Sequence, residues 1–507
     1  MNELRTLWLP LSMAALAVLV LLVDVMSPPA TGKQVPGRGI GWLVAVALFG
    51  LFVATFYVDG SGTAAHGAYR GGAWALFLQR LFLVAGCLGA LGGIDHVAKH
   101  TPRRQGEYWL LMVFSLVGMV LLPGARSLVL IIVCFELMSV PLYVLAAYGK
   151  TDASGAPETN APRTRASEAA LKLYLVGATS TAVTMFGLAL VTGMTGTTDV
   201  ALIGAAPVTP LSGLGLVFVL AGLGYKIGMV PFHMWVPDTY QGAATPFVAF
   251  LSVAPKAAGI SVLSSIFVFG MAAHRETWMP PLAFIAFLSM GVGNLLALPQ
   301  TDLRRLLGYS GIAQMGYVLV ALATGDAFGM AMVLFFLTAY LFTNLGVFLV
   351  VHAAAETSGN YGFESLYGLA KRAPGLAVSL LCFLLSLAGI PFVVGFWAKL
   401  YVFLAAWRAG LVGLVVAGIV LAVLGLFYYL RMLRAAYMVD SADLAVPKPG
   451  GALRLAIALC LAAVVGLGLW PRPLVESATR AGNELLGQVS APVVAPVSPV
   501  EANTAQR

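Results

Sequence analysis

The chain alternates long apolar runs with short polar connections from one end to the other. About 20 apolar residues carry a helix across the hydrocarbon core of a bilayer. By that measure the sequence predicts fourteen spans, at 7–26, 39–58, 74–92, 108–122, 127–148, 168–192, 211–236, 245–270, 281–298, 306–323, 328–353, 375–404, 410–430 and 453–469, the fourth of them short. The first run is longer than the roughly 7–15 apolar residues of a cleavable signal and ends in Asp24, Met26, Ser27 and Pro28, so it reads as a retained span. The fold expected is an all-α polytopic membrane protein: one transmembrane domain over 1–472 and a polar C-terminal tail over 473–507, read as a short helix and then disorder.

An even number of spans puts both termini on one side. The odd-numbered connections carry most loop cations, among them Lys33, Arg38, Lys99, Arg103, Arg104, Lys150, Arg304, Arg305, Lys371, Arg372, Lys448 and Arg454; the even connections hold Arg70, Arg126, Arg275 and Arg408. The positive-inside rule then makes the odd connections cytoplasmic and both termini external.

Composition agrees with this pattern. Of the 507 residues 60% are apolar and 10% are charged, against about 25% charged in soluble proteins. The net charge of +8 is scattered singly and in pairs, with no basic stripe interleaved with aromatics, so it reads as loop bias and not as a nucleic-acid surface. Cys87, Cys134, Cys382 and Cys460 lie in apolar runs without ligand spacing, which argues against iron–sulfur or zinc sites on this chain. Glycine-rich nucleotide cradles are missing from the sequence, and no polar stretch is long enough for a soluble catalytic domain. Glycine pairs such as Gly213 with Gly215 and Gly222 with Gly224 read as helix-packing surfaces.

A charged side chain at the bilayer centre costs about 2.5–3.5 kcal/mol on insertion scales, so those that bear this cost are informative. Glu136, Lys226, Lys256 and Lys399 all fall within predicted spans. A deep lysine needs a partner, water or a lowered proton affinity, and Glu136 is the expected partner of Lys226. Lys256 follows Pro255, which frees a backbone carbonyl. Pro231 and Pro391 interrupt the seventh and twelfth spans, and both spans carry a lysine. Paired broken spans point to inverted repeats with sites at the midplane. Five-helix repeats over spans four to eight (about 108–270) and nine to thirteen (about 281–438) have the required opposite topology. Lys172, a turn inside its span, reads either as a relay group or as a snorkelling residue. His233 reads either as a proton relay or as a cap for carbonyls freed by Pro231.

These residues resemble those of a known family, the antiporter-like subunit N of bacterial NADH-quinone oxidoreductase, respiratory complex I. The similarity runs through Phe135-Glu136-Leu137, Glu168-Ala169-Ala170-Leu171-Lys172, the stretch KIGMVPFHMWVPDTYQGAATPFVAFLSVAPK from Lys226 to Lys256, Arg304-Arg305-Leu306-Leu307-Gly308-Tyr309-Ser310, and Ser386 to Lys399. The resemblance implies a multi-pass subunit of the bacterial inner membrane that moves protons through a midplane relay and assembles with other membrane subunits. NADH, FMN, iron–sulfur clusters and quinone would then belong to partner subunits, with no cofactor on this chain. It further implies that Glu136 pairs with Lys226, that Lys256 is the central relay and Lys399 the exit-side relay, and that Lys172 holds a family position. Gln314 stands where the family usually has histidine, and Ala244 and Phe392 where it commonly has proline. Two other readings remain open from the residues: a subunit of a multi-subunit Na+/H+ antiporter, and a structural membrane subunit whose lysines are inert.

Overall fold

The computed structural model describes residues 2–26, 38–101, 105–148, 161–440 and 445–487. The loop cations Lys33, Arg103, Arg104 and Lys150, the connection 149–160 and the tail beyond 487 lie outside the described residues. Among the described residues the chain is almost entirely helical, as expected where lipid offers backbone groups no hydrogen bonds.

The first part of the chain comprises α1 (Asn2–Thr6), α2 (Trp8–Met26), α3 (Gly39–Ala54), α4 (Ala73–His100), α5 (Gln105–Leu121), α6 (Leu128–Ala146) and α7 (Ala161–Thr195). The central segment comprises α8 (Pro210–Ile227), α9 (Trp235–Gly242), α10 (Thr245–Leu251), α11 (Ala254–Leu263), α12 (Arg275–Ala297), α13 (Leu303–Leu322) and α14 (Ala327–Ser358). The rest comprises α15 (Leu369–Arg372), α16 (Pro374–Ala388), α17 (Val394–Arg408), α18 (Val412–Met438), α19 (Gly451–Leu469) and α20 (Arg472–Gly487). Helices therefore occupy every predicted span position, and eleven described stretches are long and apolar enough by themselves to cross a membrane. The start of the expected C-terminal tail is α20, which packs against α14 and α4 and buries Ala478, Ala481 and Leu485.

Residues 245–270, spanning α10, α11 and a π-helical turn at Ser264–Gly270, are buried throughout and form the centre of the bundle. Against this centre lie α14, α8 and α4. Small residues allow the close approaches: a Cβ on Gly215 of α8 would come within 2.8 Å of the Gly187 carbonyl oxygen on α7.

The interruptions in spans seven and twelve are present, but proline does not make them alone. Helix α8 stops at Gly228 (φ 78°) and α16 at Gly389 (φ 86°), left-handed positions that suit glycine, and Pro231 and Pro391 follow. A third interruption, at Ser252 and Val253, separates α10 from α11 immediately before Pro255 and Lys256. Phe392 takes φ 76°, which a proline ring forbids.

Connections of like parity gather at one end. The hairpin β1 (Gly62–Ala64) and β2 (Tyr69–Gly71) leads to Ala68, whose carbonyl accepts from Arg126 N–H at 2.8 Å, and Leu128 N–H reaches Thr198 O at 2.8 Å. Helices α1 and α20 join the same end, through Arg5 donating to Asp59 O at 3.1 Å and Ala73 N–H donating to Glu484. At the opposite end Leu303 N–H meets Tyr361 O at 2.8 Å and Gly368 N–H meets Val439 O at 2.7 Å.

Candidate functional site

Lys226 lies in the last turn of α8, 7% exposed, where the carbonyl end of a helix favours a cation. Its Nζ donates to Ser139 Oγ at 2.6 Å and Tyr143 Oη at 2.7 Å, both on α6. Ser139 donates in turn to Phe135 O at 2.6 Å, leaving its oxygen as the acceptor for the lysine. The expected contact between Glu136 and Lys226 is not made: no ion pair within 4 Å joins them among the described residues, and Glu136 instead accepts from Thr181 Oγ1 at 2.7 Å. The reason is axial. At 1.5 Å per residue, Ser139 and Tyr143 stand about 4.5 and 10.5 Å further along α6 than Glu136, on roughly the same face, and Lys226 reaches that level.

Lys256 occupies the first turn of α11, just after the third interruption, and is wholly buried. Its Nζ has no hydrogen-bond partner among the described residues, a condition shared by Tyr240 Oη, Tyr340 Oη and Asn344 Oδ1. The Tyr240 ring centroid lies 5.6 Å from that Nζ. On one side the lysine passes Gly228, where a Cβ would sit 3.9 Å from Lys256 Cε. On the other side Gly311 of α13 leaves room, since a Cβ there would stand 3.0 Å from Lys256 Nζ and 2.9 Å from Tyr340 Oη. Asn344 donates to Ser252 Oγ at 2.7 Å, four residues before the lysine.

Lys399 folds back from α17 onto the end of the preceding half-helix, donating to Leu387 O at 2.8 Å and Ala388 O at 3.1 Å. These are terminal carbonyls of α16, left without intrahelical donors by the break at Gly389. Gln314 donates to the same Leu387 carbonyl at 3.1 Å and to Tyr429 Oη at 3.2 Å, so a shared acceptor links it to Lys399. Tyr340, Gln314, Thr343, Ser386 and Lys399 line one cavity of about 10 Å³, room for roughly one water. The buried groups thus run from Lys226 past Gly228 to Lys256, across the gap at Gly311 to Tyr340, and on through Gln314 to Lys399.

Lys172 stands apart from this row. Half-exposed, it pairs with Glu168 at 2.7 Å and with Asp238 at 2.9 Å, so it does not simply snorkel. Asp238, on α9 just beyond the break in span seven, also takes Arg305 of α13 at 2.5 Å. His233 lies in the break of span seven, half-buried, and its Nδ1 has no hydrogen-bond partner among the described residues.

A match to the family described as NADH:quinone oxidoreductase/Mrp antiporter, transmembrane, covers residues 125–425. Subunit N of NADH-quinone oxidoreductase from Heliobacterium modesticaldum is 37% identical over 456 residues, 89% of this chain and 94% of the relative. The chain belongs to this family, and within it to subunit N. A chain of respiratory complex I from Thermus thermophilus with bound aureothin superposes with a TM-score of 0.76 at 30% identity, covering 93% of this chain and 99% of that one. A chain of the Mrp complex from Dietzia sp. shares the fold, with a TM-score of 0.82 at 20% identity over 96% of this chain and 97% of that one.

The Gln314 amide occupies the position between Tyr429 and the carbonyl that holds Lys399. Ser139, Tyr143, Tyr240 and Tyr340 were not singled out in the sequence. Only Ser139 and Tyr143 carried a signal, their i+3 and i+7 spacing from Glu136. In the sequence His96 and His100 read as residues in or beside a loop and His352 as interfacial; the His352 ring lies 5.4 Å from that of His96, which lies 4.5 Å from that of His100.

The Asp238 cluster gives a prediction about pH. Burial pushes the Asp238 carboxyl up, but hydrogen bonds from Lys172 and Arg305 prevail and hold it below its usual range. A depressed carboxylate stabilises the fold fully above its unfolded value and loses that contribution as the pH falls through the folded one. Asp238→Asn is therefore expected to lower the thermal midpoint of the solubilised complex by a constant amount from about pH 5 upward, with the deficit shrinking below about pH 4. A deficit that grew on acidification would show that the carboxylate is not held by these cations.

Proposed function

We propose that the chain is the proton-translocating membrane subunit N of an NADH-quinone oxidoreductase, and that Lys226, Lys256 and Lys399 carry the proton along its midplane. The observation that supports this reading is the set of buried amines at the helix breaks, with the Tyr340 hydroxyl between Lys256 and the small cavity that Gln314 and Lys399 line. A protonated Lys226 is satisfied by Ser139 and Tyr143 and still has a third donor to give. Lys256, with no protein acceptor at its amine, is the group most easily emptied and refilled. Lys399 in its charged form is held by the carbonyls at the end of α16.

Moving one proton against 100 mV costs about 2.3 kcal/mol, so the driver must change lysine partners or proton affinity cyclically. Glu136 is suited to this because it acts at a distance: losing or regaining a charge there changes the field at Lys226 without breaking a bond. Quinone reduction and the redox groups belong, in this reading, to partner subunits, and the end of the bundle holding α1 and α20 faces outward.

Inverted membrane vesicles test the proposal through NADH-driven proton uptake per electron. The double variant Ser139→Ala with Tyr143→Phe strips Lys226 of both acceptors, each bond contributing about 1 kcal/mol, and is expected to slow proton uptake roughly tenfold. Unchanged uptake at normal assembly would sink the assignment of Lys226.

A further inference from the structure

At the end of the bundle where the connections 299–302 and 359–368 meet the last turns of α18 there is a cavity of about 760 Å³. Three arginines line it, Arg304, Arg431 and Arg434, against two carboxylates, Asp302 and Glu364. Asp302 is already engaged, accepting from the Arg304 and Arg305 backbone N–H groups at 2.9 and 3.3 Å and from the Arg304 guanidinium at 3.2 Å. Arg304 is 12% exposed, lies 3.8 Å over the Tyr361 ring, and has a buried Nε without a partner among the described residues. Arg431 stacks 4.5 Å over Phe363 and uses one donor on the Leu298 carbonyl at 2.6 Å. Arg434 is exposed one turn beyond. Aromatic faces thus hold two guanidinium planes in place at the cavity, and a buried N–H without an acceptor carries a desolvation cost that an anion would relieve.

A second feature adjoins the cavity. Helix α18 exposes Val416, Ile419, Val423, Phe427 and Leu430, an apolar stripe at helical spacing. Phe427 and Leu430 precede Arg431 and Arg434 by four residues each, so the stripe runs directly under the two arginines. An apolar track that ends in a cationic pocket has the shape of an amphiphile with a phosphate head.

We propose that this cavity binds a phosphate-bearing anion, supplied by an anionic phospholipid whose acyl chains lie along α18. Guanidinium groups match phosphate oxygens in geometry and charge, and basic pockets between membrane helices select anionic headgroups in this way.

The test uses the intact complex, washed free of loosely held lipid in detergent. It is offered cardiolipin, phosphatidylglycerol or phosphatidylcholine with the same chains and repurified, and the retained lipid is measured by mass spectrometry. Wild-type complex is expected to keep the anionic lipids and release phosphatidylcholine. Arg434→Gln and Arg431→Gln should each reduce retention roughly fivefold, the loss that corresponds to one arginine contact near an anionic surface. Arg431→Lys, which keeps the charge, should retain most of it. Because Arg434 is exposed, its substitution leaves packing intact and keeps the test informative if Arg431→Gln does not assemble. Equal retention of phosphatidylcholine would overturn the proposal. So would binding of inorganic phosphate by the delipidated complex with no retention of either anionic lipid, which would identify a free-phosphate site. Retention unchanged in both glutamine variants, as when a neighbouring subunit covers the stripe, would overturn it as well.

Discussion

Lys256→Ala in the assembled complex is expected to abolish proton translocation through this subunit and to slow coupled quinone reduction about tenfold or more. A rise of only about 1.4 kcal/mol in the barrier suffices for tenfold. Lys256 is wholly buried between the Gly228 break and the Gly311 gap, with the Tyr240 ring 5.6 Å from its amine and the Tyr340 hydroxyl across the gap. At neutral pH a phenol does not readily take up or release a proton to stand in for the amine. Lys256→Arg separates a relay from a merely structural cation. Arginine keeps the charge but does not deprotonate in proteins, so it restores a structural role and leaves a relay blocked. The measurement is the proton-to-electron ratio in vesicles with assembly monitored in parallel. Full pumping by either variant would remove Lys256 from the path.

Gly311→Val should produce a loss nearly as large, although it changes no titratable group. A Cβ at this position would already stand 3.0 Å from Lys256 Nζ and 2.9 Å from Tyr340 Oη. Alanine asks the flexible end of the lysine to move by a few tenths of an ångström and should be mild. Valine adds two methyl groups fixed in one rotamer by the helix and fills the space between the amine and the hydroxyl. The expected pattern is near-normal pumping for Gly311→Ala and a drop of about tenfold for Gly311→Val, with the complex still assembled. Equal, normal pumping in both would mean that the proton does not cross between Lys256 and Tyr340.

These two predictions rest on different kinds of information. Lys256 was visible in the sequence, because a cation beside proline within a 26-residue apolar run has no bland surface explanation. Gly311 was not, because a glycine in a glycine-rich membrane protein carries no mark until another helix is laid against it. The same contrast separates Glu136 from its expected partner: the sequence places both Glu136 and Lys226 at depth, and the most economical pairing joins them. The fold sets Lys226 about a turn or two further along α6, where Ser139 and Tyr143 receive it.

The broken helices were legible for a related reason. Proline announces the break locally, and Pro231 and Pro391 stand close behind Gly228 and Gly389, which end the half-helices. Which group would use the freed carbonyls was not legible. Lys399 takes those of α16 from twelve residues ahead in the chain, and Gln314 takes the same Leu387 oxygen from a helix 73 residues away in sequence.

The sequence by itself determined the solvent in which this protein folds, the spans, their interruptions and the few ionisable groups at depth. Each of these follows from local hydropathy and backbone chemistry read along one dimension. The tertiary structure alone decided which buried amine meets which acceptor, where the gap at Gly311 opens, and that Arg304 shares one cavity with the distant pair Arg431 and Arg434. Those relations depend on the axial offset and rotation of helices against one another, which packing between distant segments fixes and no single segment encodes.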